Sequence, residues 1–500
     1  MGIVPISLGT QSNPGRYPAA GNGRLINCFM EPAGDEAKAP SPVWGCAGLL
    51  SYLTVTADGG VRCLFAVDDS LIAVVGRLVY RIVAGGAATR IGGIATTGPV
   101  YAALNRRYPN YQVALVSDGL YYIYEGGVLT AISDPALPSP TSVDFLDGYF
   151  FFSERRGRIT RSELDSGGTF DGLAYATAES NPDILLRVIA HERMMIAFGS
   201  KSTEFFAADA SVDPFAYSRS TAIEVGCGAA GSVARTQQTI LWIADDKTVR
   251  RLNGYQGVKI STYPVDRFIT SIADLTQVSA FTYTLGGNTF YVLNAPEGTW
   301  EYNLQTGLWH ERQSYGLARW RVSCTVEFDG KIICGDYASP TLYQMSSTAY
   351  TEGSSPLVME LRTPPVHGFP YYTITGAVFI DVVPGVGLAE TYNSVSSTVN
   401  GTPTGLLMAV TGSITTITNT LTNAPDSTPS LVLDYSDDGG INFKPPRLLP
   451  LGRAGQTQTR LKALRLGRSK SQGRTYRLRV SAAVVRGIIS MSADITKLQP

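Results

Sequence analysis

The 500-residue chain has little of what marks several large classes of protein. Only 16% of its residues are charged, and the 41 basic and 41 acidic residues balance. No run of 18 apolar residues occurs, so we predict no membrane span and no direct membrane insertion. The first ten residues, MGIVPISLGT, lack the basic start of a secretory signal. Phosphate-loop and Gly-x-Ser-x-Gly nucleophile motifs are also absent, which argues against the nucleotide-hydrolysing and serine-hydrolase classes.

Cysteine and histidine are both scarce, and neither has a spacing that is typical of a metal site. No CxxC pair is present, and the three histidines are far apart in sequence. We therefore predict free buried thiols in a reducing compartment, no bound metal and no cofactor. The residues concerned are Cys28, Cys46, Cys63, Cys227, Cys324, Cys334, His191, His310 and His367.

What the chain does contain is a repeated hairpin. An apolar strand, a tight turn and a second apolar strand recur seven times between about residues 51 and 350. The turns carry pairs such as Asp118-Gly119 or Gly286-Gly287, which tolerate the positive φ of a two-residue hairpin. Repeats of this kind are typical of a β-propeller. The copies lie at Leu64–Val83, Gln112–Ile132, Ser142–Thr160, Arg187–Ala207, Ser232–Leu252, Ala280–Asn303 and Ser323–Met345.

We predict an all-β protein in which residues 51–350 form a β-propeller of six or seven blades. The second and third copies begin only 30 residues apart, which is short for a four-stranded blade and leaves an incomplete blade as an alternative. A pair of β-sandwiches with meandering hairpins is the other fold that this pattern allows. Stacking the hairpins around an axis buries both faces of each small sheet, which favours the propeller.

The two ends of the chain predict a second unit. Residues 1–50 are loop-like, with one strand-like stretch at Arg24–Pro32, and residues 351–500 return to alternating strands typical of a β-sandwich or platform. We expect the N-terminal strand to complete this platform, with the propeller inserted between its halves. Within it, residues 391–430 are a Ser/Thr-rich insertion, which we interpret as a flexible surface loop or a β-rich projection.

Charge is concentrated in one stretch of the platform. Between Lys444 and Arg486 there are twelve basic residues and no acidic residue. Such strands can bind a nucleic-acid backbone, contact an acidic patch on a neighbouring subunit, or form a solvated face. The candidate side chains for a subunit or DNA contact are Arg460, Lys462, Arg465, Arg468, Arg477 and Arg479.

A second local motif, YSDDGGINF at Tyr435–Phe443, resembles an Asp-box hairpin. In that motif the Asp and Gly stabilise a turn and the aromatic residue fills a core, so it predicts a folding role for Ser436, Asp438, Gly440 and Phe443. A glycosidase would need two carboxylates about 5–10 Å apart. Nothing in the sequence selects a pair, so we predict no catalytic residue and no enzymatic activity. The propeller carboxylates considered are Asp144, Glu154, Glu163 and Glu204.

Three stretches taken in order resemble a known family. Asn27–Glu31 precedes a Gly-Leu segment in Val43–Leu50, the propeller-like repeat follows, and the SDDGG hairpin and the pair at Arg477–Ile495 close the chain. This order resembles the tail hub proteins of short-tailed bacteriophages, also called packaged-DNA-stabilisation or nozzle proteins. The chain departs from the family pattern at Cys46–Leu49, where Pro-Gly-Leu is usual, and in the insertion at residues 391–430.

The resemblance implies a structural virion protein with no catalytic residue. Such hubs form a ring, here expected to be a hexamer, below the portal and its adaptor protein. They extend the DNA channel, retain the packaged genome and pass it on at ejection. The implied partners are copies of the chain, the adaptor, a tail needle, plug, spike or fibre, and the genomic DNA in the lumen. The implied location is the virion tail, after synthesis in the cytoplasm of the host bacterium.

A competing function is a propeller-based carbohydrate-binding adhesin or surface-binding module. Under the hub interpretation, strong phosphate binding would retard ejection, and the overall neutrality of the chain agrees with a lumen that does not hold DNA tightly. We therefore assign the basic stretch to a subunit contact in preference to a DNA contact.

Overall fold

A computed structural model describes residues 2–17, 20–34, 36–178, 183–386, 397–399, 402–404, 429–453, 455–456 and 460–498. The described chain is dominated by short β-strands, with one α-helix at Tyr263–Ser271 and 3₁₀ turns at Ala230–Ser232 and Leu275–Gln277. Pro264 stands in the first turn of the helix, where its missing N–H costs no hydrogen bond. None of the described helices has the length and apolarity needed to cross a membrane.

Seven antiparallel four-stranded units follow one another in the described chain, five as separate sheets and two as parts of larger sheets, and we number them as blades 1 to 7. Blade 1 comprises Val61–Val67, Ser70–Val75, Leu78–Val83 and Ala88–Gly93; blade 2 comprises Tyr101–Leu104, Val113–Ser117, Leu120–Glu125 and Val128–Ile132. Blade 3 comprises Pro140–Leu146, Tyr149–Glu154, Arg158–Arg161 and Tyr175–Thr177; blade 4 comprises Leu185–His191, Met194–Gly199, Thr203–Ala208 and Tyr217–Ile223. Blade 5 comprises Ala234–Arg235, Ile240–Ile243, Val249–Asn253 and Gln256–Lys259; blade 6 comprises Ser279–Leu285, Asn288–Ala295, Gly298–Asn303 and Leu308–Arg312.

Blade 7 is built from both ends of the repeat region. Its first three strands are Val322–Phe328, Lys331–Asp336 and Thr341–Ser346, and its outermost strand is Gly48–Thr54, which precedes blade 1 in sequence. The short strands Thr351–Glu352 and Ser355–Pro356 extend the same sheet. Because one blade joins the start and the end of the repeat, the propeller is closed by backbone hydrogen bonds.

The packing confirms a closed ring. A separate cluster of buried apolar side chains lies between every pair of neighbouring blades in the described chain, including the pair formed by blades 7 and 1. At that last junction Leu64 and Leu71 of blade 1 share a core with Ile333 and Leu342 of blade 7. The Ser323 hydroxyl of blade 7 also donates to the Val61 carbonyl at 2.6 Å. The predicted all-β propeller is therefore confirmed.

The turn prediction also agrees with the backbone. Asp118 and Gly119 have φ of 45° and 83°, and Gly286 and Gly287 have φ of 58° and 79°. These are the positive values that a two-residue hairpin requires. The short spacing between the second and third copies does not leave a blade incomplete, because blade 2 fits four strands of four to six residues into residues 101–132.

The platform is formed by a six-stranded sheet and by the extension of the blade 6 sheet, and the two share one core. The six-stranded sheet has the order Cys28–Met30, Val43–Gly45, Gly487–Leu498, Tyr372–Val382 and Leu461–Ser469, with Gly2–Ile6 also paired to Gly487–Leu498. The nine-stranded sheet begins as blade 6 and continues through Arg24–Ile26, Met359–Arg362, Thr475–Val480, Ser430–Ser436 and Arg447–Pro450. Buried side chains of both sheets, including Val378, Ile380, Leu433 and Leu478, pack between them.

The N-terminal stretch predicted as one strand is divided between the two sheets. Arg24–Ile26 pairs in the nine-stranded sheet and Cys28–Met30 in the six-stranded sheet. Asn27 lies between them with φ of 55°. Its amide nitrogen donates to the carbonyl oxygens of Gln313 and Val358, both at 2.8 Å. The crossing residue is thus fixed to blade 6 and to the platform together.

Most of the predicted insertion at residues 391–430 lies outside the described residues. Within it, Ser397–Val399 pairs with Thr402–Thr404 as a two-stranded hairpin.

Candidate functional site

The six predicted basic side chains lie on two different sheets. Arg460, Lys462, Arg465 and Arg468 are exposed and belong to Leu461–Ser469 or border it, whereas Arg477 and Arg479 are half-buried in Thr475–Val480. Leu461, Ala463 and Leu466 of the first strand and Leu478 and Val480 of the second point into the shared core. The two groups of cations therefore lie on the opposite outer faces of the platform.

The first group occupies the edge strand of the six-stranded sheet, several of whose backbone carbonyls accept hydrogen bonds from the side chains of Arg447, Tyr435 and Arg474. Leu461–Ser469 is the last strand of the six-stranded sheet and pairs on one side only, with Tyr372–Val382. Arg460 and Lys462 each lie 5.2 Å from the ring centroid of Phe379, and Arg468 lies 3.9 Å from that of Tyr372. Within the described chain these cations form no ion pair. They are held on aromatic rings with their charge directed to solvent, which suits contact with an anionic partner.

The second group is engaged within the chain. Asp434, which is 2% exposed, accepts hydrogen bonds from Arg477 Nε at 2.8 Å and Nη2 at 2.6 Å. It accepts a third from Arg479 Nη2 at 2.9 Å. Arg477 also stacks 3.8 Å from the ring centroid of Phe443. This partner was not predictable from the sequence, because Asp434 precedes the basic stretch and pairs with it only across the sheet.

The Asp-box-like turn has a dense set of hydrogen bonds. Asp438 Oδ1 accepts from the backbone N–H groups of Ile441 and Asn442, both at 3.0 Å, and Ser436 Oγ accepts from the Gly440 N–H at 2.9 Å. The hydrogen bond from the Ser436 hydroxyl, followed by those from Asn442, holds the pKa of Asp438 below its usual range. Phe443 does not fill the core, because it lies half-buried on the outer face under Arg477.

The propeller carboxylates serve separate local contacts. Asp144 accepts from the Ala190 N–H at 2.8 Å, Glu154 from the Thr160 hydroxyl at 3.1 Å, and Glu204 from Arg219 at 3.2 Å. Glu163 is exposed and forms an isolated bridge with Ser166. These partners are typical of structural carboxylates that fix turns and join blades.

Side-chain contacts cross the propeller axis. Arg187 of blade 4 lies 4.6 Å from the ring centroid of Tyr101 in blade 2, and Arg235 of blade 5 donates to Asp144 of blade 3 at 3.2 Å. Each contact skips the intervening blade, so these side chains occupy the centre of the ring. The axis of a single chain is therefore no path for double-stranded DNA.

A cavity of about 500 Å³ lies where the helix, the N-terminal segment and blade 6 meet. Arg24 and Glu311 form part of its wall as a bidentate pair, with Nε to Oε1 at 2.8 Å and Nη2 to Oε2 at 2.6 Å. On the helix side Arg267 donates to the Pro14 carbonyl at 2.6 Å. These contacts join the N-terminal segment to the propeller.

Next to this junction the structure brings three potential metal ligands together. Ligand atoms of Cys46, Glu301 and His310 lie within 4.8 Å of one another, and all three residues are buried. His310 Nε2 lies 2.8 Å from Glu301 Oε1, which also accepts from the Tyr283 hydroxyl at 3.0 Å. This grouping is absent from the sequence pattern, because its members come from an N-terminal segment and two strands of blade 6.

Charge in the cluster is balanced by neighbouring groups. Burial disfavours a charged His310, but Glu301 and Cys46 outweigh it and raise the pKa of His310 to about 9. Burial likewise favours a neutral Glu301, but Arg312 and His310 hold the pKa of Glu301 below its usual value. Arg312 is fully buried and stacks 4.0 Å from the Trp320 ring centroid. The cluster therefore holds charges inside the protein, where an unpaired charge is costly.

A known family matches the propeller, including the strand Gly48–Thr54 that completes blade 7. Residues 48–350, more than half of the chain, match the family model described as bacteriophage P22 Gp10, beta-propeller. No curated protein matches the chain.

The following solved structures match the chain remotely. The computationally designed Ika8 protein is 12% identical over 68% of this chain and 100% of that chain, with a TM-score of 0.37. The WD40 propeller domain of Doa1 is 12% identical over 60% and 97%, with a TM-score of 0.41. A catalytically inactive virginiamycin B lyase from Staphylococcus aureus is 11% identical over 60% and 99%, with a TM-score of 0.44. At these identities and TM-scores the likenesses carry no information on function.

Proposed function

Because the chain belongs to the bacteriophage P22 Gp10 family of packaged-DNA stabilisation proteins, we propose that it is one subunit of a ring-shaped tail hub. Family membership makes it a structural phage protein and a virion component, and it points to a non-enzymatic role. The hub extends the DNA channel below the portal and its adaptor, helps to retain the packaged genome and lets it pass at ejection.

A ring of several chains is required if the DNA is to pass. The side chains of Arg187, Tyr101, Arg235 and Asp144 fill the propeller axis, so a lumen wide enough for a duplex has to form between subunits. We propose six subunits, as the resemblance to tail hubs implies, with the adaptor above and a needle, plug, spike or fibre below. In this arrangement the platform and not the propeller axis organises the channel.

The observation that carries the subunit contact is the set of exposed basic side chains on Leu461–Ser469. Arg460, Lys462, Arg465 and Arg468 are exposed there and form no ion pair with a described residue. Residues 51–350 carry 24 basic and 29 acidic residues, so the propeller of a neighbour has a small net negative charge. Complementary charge of this kind selects partner and register. Charged residues on an open edge also keep the free subunit from pairing edge to edge before assembly.

Arg477 and Arg479 are less suited to this contact, because Asp434 already holds both. A test of the interface should therefore reverse the charge of exposed side chains on Leu461–Ser469. We choose Arg465→Glu with Arg468→Glu, and as a matched control Arg155→Glu with Arg156→Glu, two exposed arginines at a turn of blade 3. Both double variants change the net charge by the same amount.

Each variant is supplied to particles made without the protein, and tail assembly is scored by electron microscopy and genome retention by nuclease protection. We expect the platform variant to fail in assembly and the control to assemble as the wild type does. DNA affinity, measured by gel shift over a series of salt concentrations, should change by less than about threefold in both. Normal assembly of the platform variant with a large loss of DNA affinity would instead assign the edge to DNA.

A further inference from the structure

Cys46, Glu301 and His310 form a buried cluster of potential metal ligands, which tail assembly does not require. Cys46 reaches it from the N-terminal segment, and Glu301 and His310 reach it from neighbouring strands of blade 6, at paired positions. Thiolate sulfur, imidazole nitrogen and carboxylate oxygen are the three donor types that zinc uses in proteins. We propose that Cys46, Glu301 and His310 form a structural zinc site.

The spacing of the donor atoms fits three of the four positions around a tetrahedral ion. Zinc–ligand distances of about 2.0–2.3 Å place neighbouring ligand atoms about 3.3–3.8 Å apart. The three donors already lie within 4.8 Å of one another. His310 Nε2 and Glu301 Oε1 are 2.8 Å apart, so this hydrogen bond would have to open for Nε2 and Oε2, the unsatisfied oxygen of the same carboxylate, to bind the ion.

An unsatisfied oxygen supports the site independently of the spacing. Glu301 is fully buried, and its Oε2 atom has no hydrogen-bond donor in the described structure. Buried carboxylate oxygens are normally satisfied, and a bound cation is one way to satisfy them. The other oxygen, Oε1, accepts from the Tyr283 hydroxyl at 3.0 Å, the kind of outer partner that orients a ligating carboxylate.

The site would be structural. A thiolate and a carboxylate would neutralise the two charges of the ion, which leaves Glu352, the remaining carboxylate near Arg312, to balance the Arg312 charge. The ion would join the segment that crosses from the platform into blade 7 to the strands of blade 6. Because Cys46 immediately precedes the closing strand Gly48–Thr54, zinc would tie the closure of the propeller to its neighbouring blade.

The test uses the full-length protein, and its readout is independent of tail assembly. Protein purified without chelator is analysed for metal by mass spectrometry, and we expect one zinc per chain. After exchange into Co²⁺, a thiolate-to-cobalt charge-transfer band should appear in the near ultraviolet. Cys46→Ser should remove this band and lower the zinc content at least tenfold, whereas Cys227→Ser, which alters a buried thiol in another inter-blade core, should change neither.

X-ray absorption at the zinc edge of the wild-type protein provides a measurement that does not depend on folding of a variant. One sulfur and otherwise nitrogen or oxygen ligands are expected. Zinc-free native protein that gives no cobalt–thiolate band would overturn the proposal, and so would equal zinc content in Cys46→Ser and wild type. Either outcome would leave the hub assignment untouched, because assembly is scored separately.

Discussion

Asp434→Ala tests whether the ion pairs that Asp434 forms with Arg477 and Arg479 stabilise the platform. The substitution removes a carboxylate that is 2% exposed and three hydrogen bonds of 2.6–2.9 Å. Breaking a buried ion pair costs about 3–5 kcal/mol. Arg477 and Arg479 have side-chain exposures of 18% and 33%, so water recovers part of their solvation. We therefore expect the substitution to reduce the local stability of the platform by about 2–3 kcal/mol.

The assay is hydrogen exchange measured by mass spectrometry, because a chain of several units has no single unfolding free energy. A loss of about 2–3 kcal/mol corresponds to exchange that is about 30- to 150-fold faster. The effect should be concentrated in Ser430–Ser436 and Thr475–Val480, the strands that the pair connects.

Asp381→Ala is the matched control in the adjoining sheet. Asp381 pairs with Lys38, but their side chains are 36% and 78% exposed, and such surface pairs contribute about 0–1 kcal/mol. Exchange in Tyr372–Val382 should therefore rise by no more than about fivefold. If Asp434→Ala changes exchange by less than twofold, or no more than the control does, the internal pairing contributes nothing and our reasoning is refuted.

Two further predictions concern the closing strand and the Asp-box-like turn. Leu49→Ala, at a fully buried position of the closing strand, should reduce the stability of blade 7 by about 2–5 kcal/mol and speed hydrogen exchange in its third strand. Leu50→Ala, at a position that is 44% exposed, should leave that exchange nearly unchanged. Because the pKa of Asp438 is lowered on folding, its stabilisation is complete above the ordinary aspartate pKa of about 3.9 and is lost as pH falls towards the lower folded value. Exchange in the turn, corrected for its intrinsic rate, should therefore rise on acidification in the wild type, and Asp438→Asn should abolish that dependence.

The propeller was predictable because its signals are local. Each hairpin is encoded by apolar strands and by turn residues such as Asp118-Gly119, whose backbone conformation depends little on the rest of the chain. All seven copies seen in the sequence correspond to blades. The outermost strand of blade 7 was not predicted, because pairing of Gly48–Thr54 with Thr341–Ser346 joins residues almost 300 positions apart.

The composition of the sequence predicted only part of the candidate site. The exposed cations of Leu461–Ser469 follow from the charge count, but the capture of Arg477 and Arg479 by Asp434 depends on strand order in the nine-stranded sheet. The grouping of Cys46 with His310 likewise depends on the chain path through Asn27, which carries the N-terminal segment from one sheet to the other. Long-range pairing of this kind leaves no periodic trace in the sequence.

Electron microscopy of virus particles made without this protein tests the hub assignment most directly. We expect shells that lack the distal tail and lose their genome, and recovery of both tail and genome when the wild-type protein is added back. Normally tailed particles that keep their DNA would contradict it.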